Sequence, residues 1–253
     1  MKPLRKKAKT HDERPSVLLS DYRTAWTVRN NEAGIDIRTL GGDVLNAHRQ
    51  VLAQHSRYFE KCLQNQFKEG QEGVIDLDDI NPKYLALYIG VAYSHSSIVP
   101  HAPPAPDPNP ETSAPKSPLR DLVEVFKLCD RFISPAMGDF VLKCILINIG
   151  NNHRALYRSS SDEKQQQALM RDFADAFEAL NRDQADQEKL AETMIKYFVE
   201  GIDFTAWDNF MGTVTDCPQF VAHVSRAFSR KLADILTSGR KYKRKELNAP
   251  PTG

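Results

Sequence analysis

The sequence predicts an α+β domain, in which a small mixed sheet is flanked by helices, followed by an all-α C-terminal extension. Two observations predict it: short alternating segments occur early in the chain, and helical periodicity dominates the rest. Hydrophobic residues make up 41% of the 253 residues, enough to build a core. We therefore divide the chain into a disordered basic tail (1–15), the α+β domain (16–150, with a proline-rich insertion at 96–117), a helical extension (151–238) and a second disordered basic tail (239–253).

The sheet is predicted from three short segments. Ile35 and Ile37 alternate with polar residues, which is typical of a strand with one apolar face. Gly41-Gly42 follows and supplies a hairpin turn, because glycine accepts positive φ without steric cost. Residues 44–47 form the return strand, and residues 74–77 form another strand.

The helices of the domain are predicted from periodicity and from their start signals. Two short helices cover 48–55 and 56–66. Three later helices begin at Asn81-Pro82, Ser117-Pro118 and Ser134-Pro135. Asparagine and serine are favourable N-caps, and proline suits the first helical position because its missing N–H needs no partner there.

The C-terminal extension contains three apolar stripes at helical spacing, within 169–180, 190–198 and 220–235. A shorter helix is predicted at 205–214.

Composition excludes several classes of protein. The 34 Lys and Arg nearly balance the 33 Asp and Glu, so the net charge of +1 does not favour general nucleic-acid binding. Basic residues concentrate in 5–7 and 240–245, which are either solvated tails or a nuclear import or weak phosphate-binding signal. We find no secretory signal and no apolar run of the ~18 residues that a membrane span needs. The four cysteines form no Cys-x-x-Cys pair, so we expect buried thiols in a cytoplasmic and/or nuclear protein.

No catalytic motif is recognisable, so we expect no enzyme activity, no catalytic residues and no cofactor. His48, His55 and Cys62 are seven residues apart, a rise of roughly 10 Å along a helix, which is too far for one zinc ion. The three aspartates within 76–79 lack the rest of a calcium loop, and we expect them to cap the helix at Asn81. No metal site is predicted.

Six short segments follow one another in order along the first part of the chain: Ala47-His48-Arg49, Val51-Leu52, Ser56-Arg57-Tyr58-Phe59, 74–80, 122–132 and 140–146. This ordered series resembles the BTB/POZ family. The expected core residues of the family's motifs are Val51, Leu52, Tyr58, Phe59, Leu122, Phe126 and Cys129. The C-terminal part looks similar to BTB proteins of filamentous fungi at 156–160, 169–171 and 218–220. The chain departs from the family pattern in the register of its first strand, in the proline-rich insertion, and in its N-terminal helix, for which only 16–25 is a candidate.

The resemblance implies a module that binds other proteins, homodimerises or hetero-oligomerises, and carries out no chemistry. Family dimers often bury an acidic residue of the first strand and a basic residue after the histidine in one interface pocket. Asp36, His48 and Arg49 match those positions approximately. The alternative for the two charges is a solvated pair worth under ~1 kcal/mol.

Two more specific functions are implied. Phe67-Lys68-Glu69 matches the hydrophobic-x-Glu segment through which ubiquitin-ligase adaptors of this family contact a cullin scaffold, although a helix end followed by a polar turn would look the same. A nuclear transcriptional regulator or scaffold using the basic ends is the other alternative.

Overall fold

The structure is a computed structural model that describes residues 34–64, 66–95, 118–150, 163–202 and 204–247. The predictions for the N-terminal tail, the helix at 16–25, the insertion at 96–117 and the segment at 156–160 lie outside these residues. Across the described ranges, no helix combines the length and the apolar character needed to cross a membrane.

The sheet has three strands in the order β2-β1-β3. Strand β1 (Gly34–Thr39) pairs antiparallel with β2 (Val44–His48) and parallel with β3 (Val74–Leu77). Ile37 of β1 lies opposite Leu45 on one side and Ile75 on the other, and all three side chains are buried. The predicted fold class, a small mixed sheet flanked by helices and followed by a helical region, is confirmed.

A short 3-10 turn at Leu40–Gly42 connects β1 to β2. Gly41 and Gly42 have φ values of 85° and 86°, in the left-handed region that residues with a Cβ rarely adopt. The hairpin predicted from the glycine pair therefore forms, because only glycine reverses the chain here without strain.

Helices cover the inner face of the sheet. Helix α4 is buried on all sides from Leu85 to Tyr93, whereas α5 and α6 each bury one face. Asn81 caps α4 by accepting from the Lys83 N–H at 2.9 Å, as its sequence predicts. The helices of this region are α1 (Arg49–His55), α2 (Arg57–Cys62), α3 (Lys68–Glu72), α4 (Pro82–Ser94), α5 (Leu119–Arg131) and α6 (Pro135–Asn148).

One local prediction was wrong: helix α2 ends at Cys62 instead of reaching residue 66. Gly70 then lies inside α3, where a Cβ would be 2.2 Å from the backbone oxygen of Gln64. The chain must therefore leave the helical path after Cys62 and fold back, which periodicity alone does not reveal.

The C-terminal region is helical and surrounds an aromatic cluster. Its elements are α7 (Glu163–Glu178), α8 (Ala185–Gly201), α9 (Phe204–Phe210), a 3-10 turn (Met211–Val214) and α10 (Pro218–Leu247). Rings of α7, α8, α9 and α10 meet at centroid distances of 5.0–6.0 Å. The cluster consists of Phe173, Phe177, Phe198, Trp207 and Phe220.

Helix α7 connects this region to the α+β domain through its carboxylates. Asp172 accepts from the backbone N–H groups of Leu119 (2.7 Å) and Arg120 (3.3 Å) at the start of α5. Glu178 accepts from the Phe220 N–H at 2.9 Å at the start of α10. One helix thereby caps two others, which satisfies backbone donors that a helix leaves unpaired at its N-terminus.

Helix α10 extends to Leu247, past residue 239, where the sequence predicts the start of a disordered tail, and the division of the chain into domains stays a prediction. Extending a helix costs little once it has nucleated, and Lys and Arg have high helix propensity. The predicted apolar stripe of this helix runs to residue 235, but Leu232 and Ile235 are exposed, so only its earlier part is buried.

Candidate interaction surface

The segment Ser56-Arg57-Tyr58-Phe59 joins the first helices to the end of α5. The Ser56 hydroxyl donates to the Phe132 carbonyl at 2.7 Å and accepts from the Phe59 N–H at 3.1 Å. The Tyr58 N–H donates to the same carbonyl at 3.3 Å. The family-like motif is therefore a structural joint that links parts of the chain 76 residues apart.

Aromatic side chains fill the space behind this joint. Phe59 and Phe132 have ring centroids 4.8 Å apart, and Tyr88 lies 5.1 Å from Phe132. The Tyr88 hydroxyl shares a buried 2.7 Å hydrogen bond with Ser134, which begins α6. Ser134 occupies the N-cap position but its side chain does not cap the helix, because its hydroxyl is engaged with Tyr88. These contacts hold α2, α4, α5 and α6 in one body.

The other motif residues lie in the same core. Val51, Leu52, Leu122 and Cys129 are at most 2% exposed, and Phe126 is 8% exposed. Burial raises the pKa of the Cys129 thiol to about 12, and burial is the main reason that the pKa of the half-buried Tyr58 rises to about 12. Because a thiol with a raised pKa is a poor nucleophile, Cys129 is suited to packing.

The outer face of the sheet carries the first of the expected interaction residues. Asp36 is exposed and accepts from the Asn46 side chain across the hairpin at 2.8 Å. Next to it, Arg38 and Asp76 form an exposed ion pair at 3.4 Å between β1 and β3. This face is polar and uncovered by any described residue, whereas the opposite face packs on the helices.

His48 ends β2 and lies against α4. Its ring Nδ1 and the Tyr93 hydroxyl are 2.5 Å apart, and its backbone N–H donates to the same hydroxyl at 2.9 Å. Tyr93 is fully buried. His48 therefore anchors the hairpin to the core, and any contact with a partner stays a prediction.

Arg49 and Asp36 have different partners within the chain. The Arg49 guanidinium donates to the Gly70 carbonyl at 3.0 Å, which ties α1 to α3. Asp36 is hydrogen-bonded to Asn46 instead. The structure does not bring the two charges together in one copy, and their meeting in a dimer pocket stays a prediction.

Phe67 and Glu69 lie where the chain folds back into α3. Phe67 is at the N-cap position and is 45% exposed, a large exposure for an aromatic side chain. Glu69 is in the first turn of α3 and is half-buried. The negative charge of Glu69 is among the causes that raise the pKa of the nearby Cys62 thiol, after burial. The two residues thus place an apolar and an acidic side chain next to each other at the start of α3.

The aspartates predicted to cap α4 have other roles. Asp76 pairs with Arg38, and Asp79 accepts two hydrogen bonds from the Arg131 guanidinium, at 2.5 and 2.9 Å. The hydrogen bonds from Arg131 hold the pKa of Asp79 below its ordinary range. The capping prediction was therefore wrong for these two residues, since Asn81 satisfies the helix start by itself.

No group of three or more metal-ligating side chains occurs within the part of the chain that the structure describes. His48 contacts Tyr93, and His55 lies in α1 with its ring Nε2 buried and lacking a hydrogen-bond partner. Nothing in this geometry brings His48, His55 and Cys62 around one ion.

Sequence reasoning missed the apolar residues at the tip of the hairpin. Leu40 is 53% exposed and Val44 is 55% exposed, and Val44 lies opposite Arg38 in the hairpin register. Their place next to Gly41-Gly42 was visible in the sequence. Their exposure was not, because alternation does not say which strand face remains uncovered.

The described residues form a small mixed sheet flanked by helices, followed by a helical C-terminal region. The family model of the BTB/POZ domain matches residues 27–107. Helices α5 and α6 follow the matched range and pack on it. BTB/POZ is a family of protein–protein interaction domains, and residues 27–107 of this chain are similar to it. No curated protein matches the chain.

Proposed function

We propose that this chain is a non-enzymatic interaction module that binds a second copy of itself or another protein through the outer face of its sheet. The observation that carries the proposal is that no described residue covers this face. The described helices that contact the sheet pack on its other side, and a BTB domain generally serves to bind proteins.

The composition of this face suits an interface. Leu40 and Val44 expose apolar surface at the hairpin tip, and Asp36 and Arg38 add charged groups beside them. Protein interfaces combine an apolar centre with a polar rim. A face of one sheet also pairs readily with itself around a twofold axis, which makes a homodimer the simplest outcome.

Light scattering coupled to size exclusion tests this proposal. We expect the wild-type chain to self-associate or to retain a partner in a native pull-down, and Val44→Glu to abolish that binding because it buries a charge. Ala222→Glu, at an exposed position of α10, is the matched control and should bind normally. A monomeric wild type that retains no partner would refute the proposal. Equal binding by both variants would exclude the sheet face as the interface.

A second candidate function is substrate adaptor of a cullin-type ubiquitin ligase. The exposed Phe67 supports it, because an aromatic side chain that is 45% exposed beside an acidic residue is a suitable anchor for a protein partner. Substrate would then bind elsewhere, for example on the helical C-terminal region.

Binding to a purified cullin N-terminal domain tests the adaptor function. We expect Phe67→Ala and Glu69→Lys each to weaken binding at least tenfold. Glu60→Lys, an exposed charge reversal on α2, should leave it unchanged. Equal affinity of all the variants and the wild type would remove this candidate while leaving the interaction module intact.

A cytoplasmic or nuclear location, and a role as transcriptional regulator or scaffold, stay predictions from the basic ends of the chain. Loss of nuclear staining after deletion of residues 240–245 would support the nuclear alternative, and unchanged staining would remove it.

A further inference from the structure

The second half of α10 exposes an apolar stripe, which we call the α10 stripe. It consists of Leu232, Ile235 and Leu236, which are 58%, 61% and 56% exposed. These positions share one helix face, because residues three and four apart are neighbours on a helix. The stripe continues the face that is buried earlier, at Phe220 and Val224.

The α10 stripe begins where α8 ends. The Lys231 ammonium donates to the Val199 carbonyl at 3.1 Å, two residues before Gly201, the last residue of α8. From Lys231 to Thr237 every residue of α10 is exposed. A contiguous exposed apolar patch is a candidate interaction site.

The charge of this half of the helix restricts what can cover it. Residues 226–247 contain eight Lys or Arg and two Asp or Glu, a net charge of +6. Six of those cations lie in the run 240–245 or at Lys231. Two such helices would repel each other, because each carries this net positive charge. The α10 stripe therefore suits a surface that is apolar and acidic.

The described residues contain such a surface between α6 and α8, which we call the α6–α8 groove. It is formed by two adjoining depressions of about 390 and 300 Å³, which share Phe126, Asp139 and Asp186 among their lining residues. The apolar lining comes from α5, α6 and α8. It includes Phe126, Leu142, Leu146 and Leu190.

Three carboxylates line the α6–α8 groove. Asp139, in the second turn of α6, and Asp186, in the first turn of α8, line both depressions, whereas Asp130, near the end of α5, lines only the first. None of the three forms an ion pair with another described residue. Arg57 lines the first depression and Lys189 the second, so the excess of carboxylates over cations is larger in the first depression, at the Asp130 end of the groove.

We propose that the α10 stripe of one copy docks into the α6–α8 groove of a second copy. The three aliphatic side chains cover the apolar lining, and the basic run 240–245 lies toward Asp130, Asp139 and Asp186. This polarity places the C-terminal end of α10 beside the N-terminal ends of α6 and α8. The contact is separate from the sheet face, so the two associations can coexist in one assembly.

Photo-crosslinking between isotopically distinct copies tests the proposal. A benzophenone amino acid replaces Ile235 in unlabelled protein, which is mixed with ¹⁵N-labelled wild type and illuminated. We expect peptides that join residue 235 of the light copy to 126–146 or 186–193 of the heavy copy, with a yield that falls as salt rises. The same probe at Ala222 gives the background.

Other cross-links would overturn the proposal. Cross-links within one copy, to α10 of the other copy, or to no peptide above background each contradict it. Because the probe reports only on residue 235, the result does not depend on whether the sheet face also associates.

Complementary variants provide a second test. The groove variant is Asp139→Lys with Asp186→Lys, and the stripe variant is Leu232→Ser with Ile235→Ser and Leu236→Ser. All five positions are on the surface or at its edge, so both variants should fold. We expect each variant alone to lose this association at least tenfold.

The mixture of the two variants decides the question. The stripe of the groove variant and the groove of the stripe variant remain intact, so the mixture should form a 1:1 contact that neither variant forms alone. A mixture that associates no better than the separate variants would overturn the proposal, as would undiminished association of the groove variant alone.

Discussion

Replacing Ser56 by alanine removes the joint between α2 and the end of α5. Ser56 is 2% exposed, and its hydroxyl makes two hydrogen bonds: it accepts from the Phe59 N–H and donates to the Phe132 carbonyl. Alanine makes neither and creates no steric conflict. The variant therefore isolates the energy of this contact.

The two lost interactions have separable magnitudes. Loss of an N-cap side chain costs about 1 kcal/mol. Loss of the bond to Phe132 costs a further ~1 kcal/mol. The second loss stays small, because the Phe132 carbonyl still accepts a hydrogen bond from the Tyr58 N–H at 3.3 Å and is not left unpaired. We expect the free energy of unfolding to fall by about 2 kcal/mol.

Urea unfolding followed by far-ultraviolet circular dichroism measures this change. Ser229→Ala is the matched control, since its hydroxyl is exposed and bonds only to the Ser225 carbonyl within α10. The control should stay within ~0.5 kcal/mol of wild type. A Ser56→Ala loss below ~0.5 kcal/mol, at an unchanged denaturant slope, would refute the assignment of Ser56 as the joint.

Three further predictions concern the same body. Gly70→Ala should lower the free energy of unfolding by ~2 kcal/mol or more, because the added Cβ would collide with the Gln64 backbone oxygen. A urea midpoint equal to that of the wild type would contradict this close approach. Asp172→Ala should lower the free energy of unfolding by ~1–2 kcal/mol, because it removes the cap of α5, whereas Asp172→Asn retains an acceptor and should lower it less. Equal destabilisation by the two variants in thermal unfolding would argue against the cap. Burial, with the charge of His95, lowers the pKa of His55 below its ordinary 6.5, so its neutral form is favoured in the folded state and stability should fall as pH drops below 6.5. His55→Gln should lose less stability than wild type between pH 7.5 and 5.0, and identical pH profiles would contradict this cause.

Features that depend on neighbouring residues were predictable. The alternation at Ile35 and Ile37 identifies β1, and Gly41-Gly42 identifies its turn. Asn81 predicts the start of α4, because an N-cap residue and the N–H groups that it satisfies lie within one turn of each other in the chain. Each of these signals acts over a few residues, so the sequence carries it without any tertiary information.

Features of the candidate surfaces were only partly predictable. The position of Phe67 followed from a three-residue resemblance, but its exposure depends on the fold-back after Cys62. Asp36 and Arg49 are adjacent to the hairpin as expected, yet their partners, Asn46 and the Gly70 carbonyl, follow from strand register and from the path of α3.

The sequence by itself determined the α+β class, the hairpin, the helix starts and the apolar stripes, because periodicity and capping are local. Only the tertiary structure decided that Ser56 bonds to Phe132 and that Asp172 caps α5. It also decided that the stripe of α10 ends in solvent. The physical reason is that a buried polar group must find a partner wherever packing provides one, and packing brings together residues far apart in the chain.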